Sequence, residues 1–422
     1  MKMNRRGFVG ATLAGSAAMG VSALANRNSS QVEENYQRLD AVLAQPIFER
    51  SFFKDPVIIE SVELLRYGGS YMCRVRSKDG VEGLSVSHNT MNVLYPIFVK
   101  RVQNVFVNQD ARRLEELLDK ALEYALNFRY GGIAIGIPLA TVEFAILDMM
   151  GRIAGKSVGE MVGGVSNTHI PVYQATEWRE KPVEESVALI KAAVEKSQAK
   201  AVKIKVGALM FMTKDLDAKG PVGRTEQIIP LIRETFGDDM ALYSDANGYY
   251  KDVDEAIRVG RLLQEYNYSY FEEPVFFDWL DGTKQVADAL DIPIAGGEQQ
   301  HSVYGFRWLL ANEGLDIVQP DHFYFGGIIR SLKVARMGEA MGKLCIPHLS
   351  GGFGYIYMLH LVSAMPNMGP HIEFKGYEKE PIECATSSLR LKDGKIKVPT
   401  GPGLGVEIDP DYVAKYERVT DV

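Results

Sequence analysis

The stretch "AVKIKVG", residues 201–207, reads as a short buried strand, with Ala201, Val202, Ile204 and Val206 supplying the apolar content. Strand side chains alternate faces, so Lys203 and Lys205 project to the same side. Lysine is seldom buried without a partner. Either that face is solvated, or something negative stands opposite. The helical pattern "RTEQIIPLIRETFG" follows, and this strand–helix unit recurs. The strands are "IPVYQAT", "AVKIKVG", "ALYSDAN", "YSYFEEP", "IPIAGGE", "DIVQPD", "LCIPH" and "HIEFK", each but the last followed by a helical run. Eight strands alternating with seven helices predict an α/β fold of the closed parallel-barrel kind over 169–384, rather than an open sheet.

Upstream the order is different. Strand patterns "VIIESVELLRY", "SYMCRVRS" and "GVEGLSVS" come first, then helical patterns ending in "PLATVEFAILDMMGRIAG". Strands followed by helices predict an α+β domain over 52–168. The tail, 385–422, reads as hairpin and loop returning to that domain. Residues 26–51 are polar and read as a lead-in segment.

The chain of 422 residues has ample apolar content, 46% hydrophobic, for a large core. A net charge of −7 argues against nucleic-acid binding by phosphate neutralisation. Cys73, Cys345 and Cys384 are odd in number and far apart, which excludes a disulfide framework and a thiolate zinc site. The start, "MKMNRRGFVGATLAGSAAMGVSALA", pairs Arg5 and Arg6 before a small-residue apolar run. Residues 1–25 are read as a twin-arginine-type signal, implying export to the periplasm. That run is too poor in large apolar residues for a stable membrane helix, and no other stretch is expected to span a bilayer.

In parallel barrels the chemistry gathers where strands end. The second strand brings Lys203 and Lys205; the third, Asp245 and Asn247; the fourth, Glu272 and Glu273. Glu298, Asp321, His348 and Glu373 end the next four. One acid at a strand end is often only a helix cap; a series on successive strands is not explained that way. Asp245, Glu272 and Glu298 come from three adjacent strands and would repel one another without a cation. Hard oxygen donors suit Mg²⁺, and Mn²⁺ fits the same shell. Alternation sends Glu273 away from Glu272, so it is left out of this set. Asp321 and His348 end neighbouring strands, and a carboxylate beside an imidazole makes a poised acid or base.

The pieces "KIK" (203–205), "SDANG", "FEEP", "GGE", "QPD", "PH" and "IEF" together resemble the enolase superfamily, nearest its mandelate racemase subgroup. The resemblance spans roughly residues 50–410. It implies a modified TIM barrel, (β/α)7β, under an N-terminal α+β capping domain completed by the C-terminal tail. It implies Mg²⁺ on Asp245, Glu272 and Glu298, and abstraction of the proton alpha to a carboxylate through an enediolate. Lys205 is then an acid/base group on one face of the substrate, and His348, oriented by Asp321, serves the other. Lys203 and Glu373 flank the substrate carboxylate. Asn247, His88 and Trp178 become candidate substrate contacts; solvated loop positions are the alternative for His88, Asn89, Trp178 and Arg179. The partner is a small carboxylate, and a homo-oligomer is implied by resemblance alone. Dehydration of a sugar acid to a 2-keto-3-deoxy acid is favoured, since the loops carry many hydrogen-bonding groups. Racemisation or epimerisation, cycloisomerisation, and a non-catalytic periplasmic binding role stay open.

Overall fold

The computed structural model describes residues 20–207, 221–349, 351–376, 382–384 and 386–420. Most of the expected leader, 1–19, lies outside them. The segment read as a lead-in is a helix, α1 (Gly20–Leu43). Tyr36, Leu39 and Leu43 fall at helical spacing, and Leu39 is fully buried. Asn35 Nδ2 donates to Ala311 O at 3.0 Å, and Asp40 pairs with Arg307. The helix is therefore fastened to the outside of the barrel, which its polar composition concealed.

The capping domain begins with an antiparallel meander, β1 (Ile59–Tyr67), β2 (Ser70–Ser77) and β3 (Glu82–Val86). Helix α2 (Ile133–Ala154) lies on this sheet. The contact is close enough to require Gly83, where an added Cβ would stand 2.2 Å from Ala145 O. Contrary to expectation, α2 is long and apolar enough to cross a membrane, with mean hydropathy 1.8 over its most apolar window. That window is 89% buried inside the protein. The helix is apolar on all sides because sheet and barrel cover it together.

The barrel strands are β4 (His169–Ala175), β5 (Ala201–Lys205), β6 (Ala241–Asp245), β7 (Tyr270–Glu272), β8 (Ile294–Gly296), β9 (Ile317–Val318), β10 (Leu344–Cys345) and β11 (Ile372–Phe374). Seven helices alternate with them: α3 (Val183–Ser197), α4 (Arg224–Phe236), α5 (Val253–Glu265), α6 (Leu280–Ala289), α7 (Val303–Ala311), α8 (Ile328–Ala340) and α9 (Gly354–Ser363). All neighbouring pairs are parallel, in the order β10-β9-β8-β7-β6-β5-β4-β11. The ring is not closed by a full ladder, as a closed barrel would predict. Between β10 and β11 the seam is held by Cys345 N to Asn367 O and Gly369 N to Cys345 O, both 3.0 Å. Pro347, without an N–H, follows β10 almost at once and cannot extend the pairing. Tyr173, Tyr243 and Tyr270 fill the interior, the last two stacked at 4.2 Å, so the mouth has a solid floor.

The tail does not belong wholly to the cap. β12 (Ile382–Glu383) pairs with β14 (Glu407–Ile408), while β13 (Lys395–Lys397) runs antiparallel to the start of β4. Among the described residues, β15 (Glu417–Arg418) alone of the tail strands joins the cap sheet, beside β1. Cap and barrel are tied by Glu143 of α2, which accepts from Ile328 N (2.6 Å) and Ile329 N (3.0 Å) at the N-terminus of α8. Those N–H groups have no partner within their own helix. The carbonyl of Tyr324 presses on Gly136, where a Cβ would lie 2.0 Å away. These contacts fix α2 against the segment that follows β9.

Candidate active site

β5 is buried at all five positions, both lysines included. The charges survive burial because carboxylates stand opposite. Lys203 Nζ lies 2.8 Å from Glu272 Oε2, 3.2 Å from Glu373 Oε1 and 3.6 Å from Asp245 Oδ2. Lys205 Nζ lies 2.5 Å from Asp245 Oδ2 and donates to Asn247 Oδ1 at 3.0 Å. The solvated reading of this face is thereby excluded. Against the cost of burial, Glu272 and Glu373 hold the Lys203 pKa well above its usual value.

Asp245, Glu272 and Glu298 each bring a carboxylate oxygen to within 4.8 Å of the others, and all three are buried. Burial and then Asp245 push the Glu272 carboxyl up to about 7, with Lys203 opposing. Burial acts the same way on Asp245, but Lys205, Lys203 and Arg179 outweigh it and hold that carboxyl well below the usual range. Gln319 Nε2 supports Glu272 Oε2 at 2.9 Å. Among the described residues, Glu298 Oε2 is buried with no hydrogen-bond partner. An all-oxygen, buried set with one orphaned oxygen fits a small hard divalent cation.

His348 Nδ1 lies 2.7 Å from Asp321 Oδ2. Asp321 Oδ1 accepts from Phe323 N and Tyr324 N at 2.7 and 2.9 Å, so the carboxylate cannot turn. A carboxylate on Nδ1 fixes that nitrogen as the protonated one and leaves Nε2 to face the mouth. Nε2 stands 3.3 Å from Glu298 Oε2 and 3.0 Å from Lys375 Nζ. Despite burial, Glu298 and Glu373 raise the His348 pKa, and Lys375 opposes them. Glu373 is held down to about 2: burial would raise it, but Lys203, Lys375 and His348 prevail. Glu373 Oε2 also accepts from Leu349 N at 2.8 Å.

The candidate substrate contacts separate. Asn247 sits inside the cluster, its Nδ2 3.4 Å from Glu298 Oε1. His88 reaches the barrel from the cap, its ring 5.5 Å from Phe323 and 5.6 Å from Tyr324. Burial lowers its pKa, and the charges of Asp321, His348 and Lys375 all act on it. Trp178 is tied to the barrel wall, its carbonyl accepting from Ser186 Oγ and Arg224 Nη2. Arg179 is not a solvated loop residue. It is buried, and its Nη2 donates to Asp245 O and Asn247 Oδ1, both at 2.9 Å.

Three participants lie outside the sequence reading. Glu273 was expected to turn away, yet it is buried and feels Glu298, Asp245 and Glu272. It lies one residue past β7 at φ 40°, where strand alternation no longer applies. Gln319 carries no charge to mark it. Lys375, one residue past β11, is an ordinary loop lysine by sequence.

A parallel βα barrel with its acids, lysines and one histidine–aspartate pair at the strand ends defines an acid/base enzyme acting on a small anionic molecule. Residues 185–412 match the family model described as "Enolase C-terminal domain-like". The chain is 29% identical over 347 residues to arabinonate dehydratase of Saccharolobus solfataricus, covering 81% of this chain and 89% of that one. It is 28% identical over 328 residues to D-galactarolactone cycloisomerase of Agrobacterium fabrum, covering 74% and 81%. A mandelate racemase/muconate lactonizing protein from Paracoccus denitrificans, solved in complex with magnesium, superposes with TM-score 0.74 at 26% identity over 86% and 99% of the two chains. The chain belongs to the enolase superfamily, in its mandelate racemase/muconate lactonizing family. It is an enzyme, a lyase or an isomerase.

Proposed function

We propose that this enzyme dehydrates a sugar acid to a 2-keto-3-deoxy acid with Mg²⁺ as its metal; Mn²⁺ fits the same ligands. The observation that carries the reading is the placement of Lys205 and the Asp321–His348 pair. Lys205 rises from the second barrel strand and Asp321 and His348 from the sixth and seventh, on separate sides of one mouth that also holds the acid triad. Asp245, Glu272 and Glu298 would hold the ion, which supplies the positive charge needed when the alpha carbon loses its proton.

The chain's own residues do the rest. Lys203 and Glu373 flank the substrate carboxylate. Lys205 and His348 stand on opposite faces, one removing the alpha proton and the other moving a proton on the far side. Asn247 holds Lys205 and Glu298 in register, and His88 reaches toward the distal hydroxyls. The dehydratase relative and the polar groups around His348 favour loss of a hydroxyl. Return of a proton to the same carbon gives the racemase or epimerase alternative, and the cycloisomerase relative supports a third outcome. A complete acid/base set argues against a binding-only role.

The test is a screen of pentonic, hexonic and aldaric acids in D₂O with Mg²⁺. A 2-keto-3-deoxy product is expected from at least one. Alpha-deuterium incorporation with inversion, and no keto acid from any substrate, overturns the proposal.

We also propose export through the twin-arginine route, on the Arg5–Arg6 pair and the run that follows. Replacing both with Lys is expected to leave active enzyme in the cytoplasm. An unchanged periplasmic yield refutes it.

A further inference from the structure

Lys375 is the cation of the mouth that the acid triad does not claim. Lys203 and Lys205 are buried and spent on Glu272, Glu373 and Asp245. Lys375 leaves 30% of its side chain exposed. Its Nζ is 3.0 Å from His348 Nε2 and 3.9 Å from Glu373 Oε1, the latter beyond hydrogen-bond reach. An ammonium has three N–H donors. Among the described residues, only the imidazole takes one at that distance, so donors are left for oxygens arriving in front of His348.

His348 Nδ1 is committed to Asp321, so any proton it moves is moved at Nε2. The substrate atom concerned must come within about 3 Å of Nε2. That places it within reach of Lys375 as well. We propose that Lys375 binds the departing hydroxyl of the substrate and so directs the reaction to elimination rather than to return of the proton to the alpha carbon. The inference rests on the dehydratase reading.

The base on the other side, Lys205, which must enter as the neutral amine, takes the proton from the alpha carbon and becomes the ammonium. The electron pair left behind forms the double bond to the next carbon. The carbon–oxygen bond there breaks with its pair on oxygen, and His348, which enters as the imidazolium with Lys375 turned from Nε2 to the substrate oxygen, gives the Nε2 proton that completes water and is left neutral. The enol then ketonises. Lys375 keeps its own protons and donates a charge-assisted hydrogen bond to the oxygen as negative charge builds on it.

The test uses the full-length Mg²⁺-loaded enzyme and the sugar acid it turns over in the screen. Lys375→Met should lower kcat/KM about 100-fold. The inhibition constant of the 3-deoxy analogue, which lacks the departing hydroxyl, should move by less than about 3-fold. Deuterium entry at the alpha carbon should persist in the variant, and Lys375→Arg should recover part of the elimination. Equal losses for substrate and analogue, or undiminished elimination, overturn the assignment. A screen in which the unmodified enzyme yields no keto acid refutes the dehydratase reading first, and this assignment with it.

Discussion

Asp321→Asn is expected to cut turnover about 10⁴-fold while leaving the melting temperature nearly unchanged. The reason is the direction of one proton. Asp321 Oδ1 accepts from Phe323 N and Tyr324 N, and an asparagine carbonyl oxygen can keep both bonds. The amide nitrogen then takes the place of Oδ2, 2.7 Å from His348 Nδ1. It is a donor facing a donor. The imidazole relieves the conflict by moving its proton to Nε2, the atom that faces the mouth. His348 keeps its position but can no longer become the imidazolium that gives a proton from Nε2, because a second proton on Nδ1 would face the amide donor. Stability barely moves because the backbone bonds survive and no cavity opens. The check is kcat with the screened sugar acid, beside thermal melting and alpha-proton exchange in D₂O. Turnover within tenfold of the parent enzyme would show that His348 is not acting at Nε2.

Chelation is expected to abolish turnover, and Mg²⁺ to restore it. In the metal-free protein, Lys203 and Lys205 partly neutralise the triad, but Glu298 Oε2 has no hydrogen-bond partner among the described residues. A divalent ion held by Asp245, Glu272 and Glu298 would satisfy that oxygen and compete with the lysines for their partners. Bound at a hundredfold excess over its Kd, it should stabilise the fold by about 2.7 kcal/mol, seen as a raised Tm. The ion competes with a proton on Glu272, whose carboxyl stands at about 7 when metal-free. Affinity should hold above that pH and weaken as the pH falls through it. Glu298→Gln keeps the shape of the site and should lose most of both effects. Full turnover in exhaustively demetallated protein would refute the ligand assignment.

Sequence periodicity determined the architecture of this protein. A strand and a helix every 23 to 27 residues, from Asp245 through Glu272, Glu298, Asp321 and His348 to Glu373, can close on itself in few ways. Because side chains alternate along a strand, the same spacing placed one ionisable group after another at one end. The acid triad and the Asp321–His348 pair were legible for that reason: strand registry is local and regular. Where registry stops, only the tertiary structure decided. Glu273 sits just past β7 at positive φ, and its side chain turns inward against alternation. Lys375 reaches His348 across the seam between β10 and β11, where no ladder joins the strands. Arg179, from the turn after β4, is buried beneath Asp245 and Asn247. From Ser30 on, α1 looks polar because many of its residues face water, and α2 looks like a membrane span because all but its ends is buried. In each case the deciding partner is distant in sequence, so no local pattern records it, and only packing brings the two together.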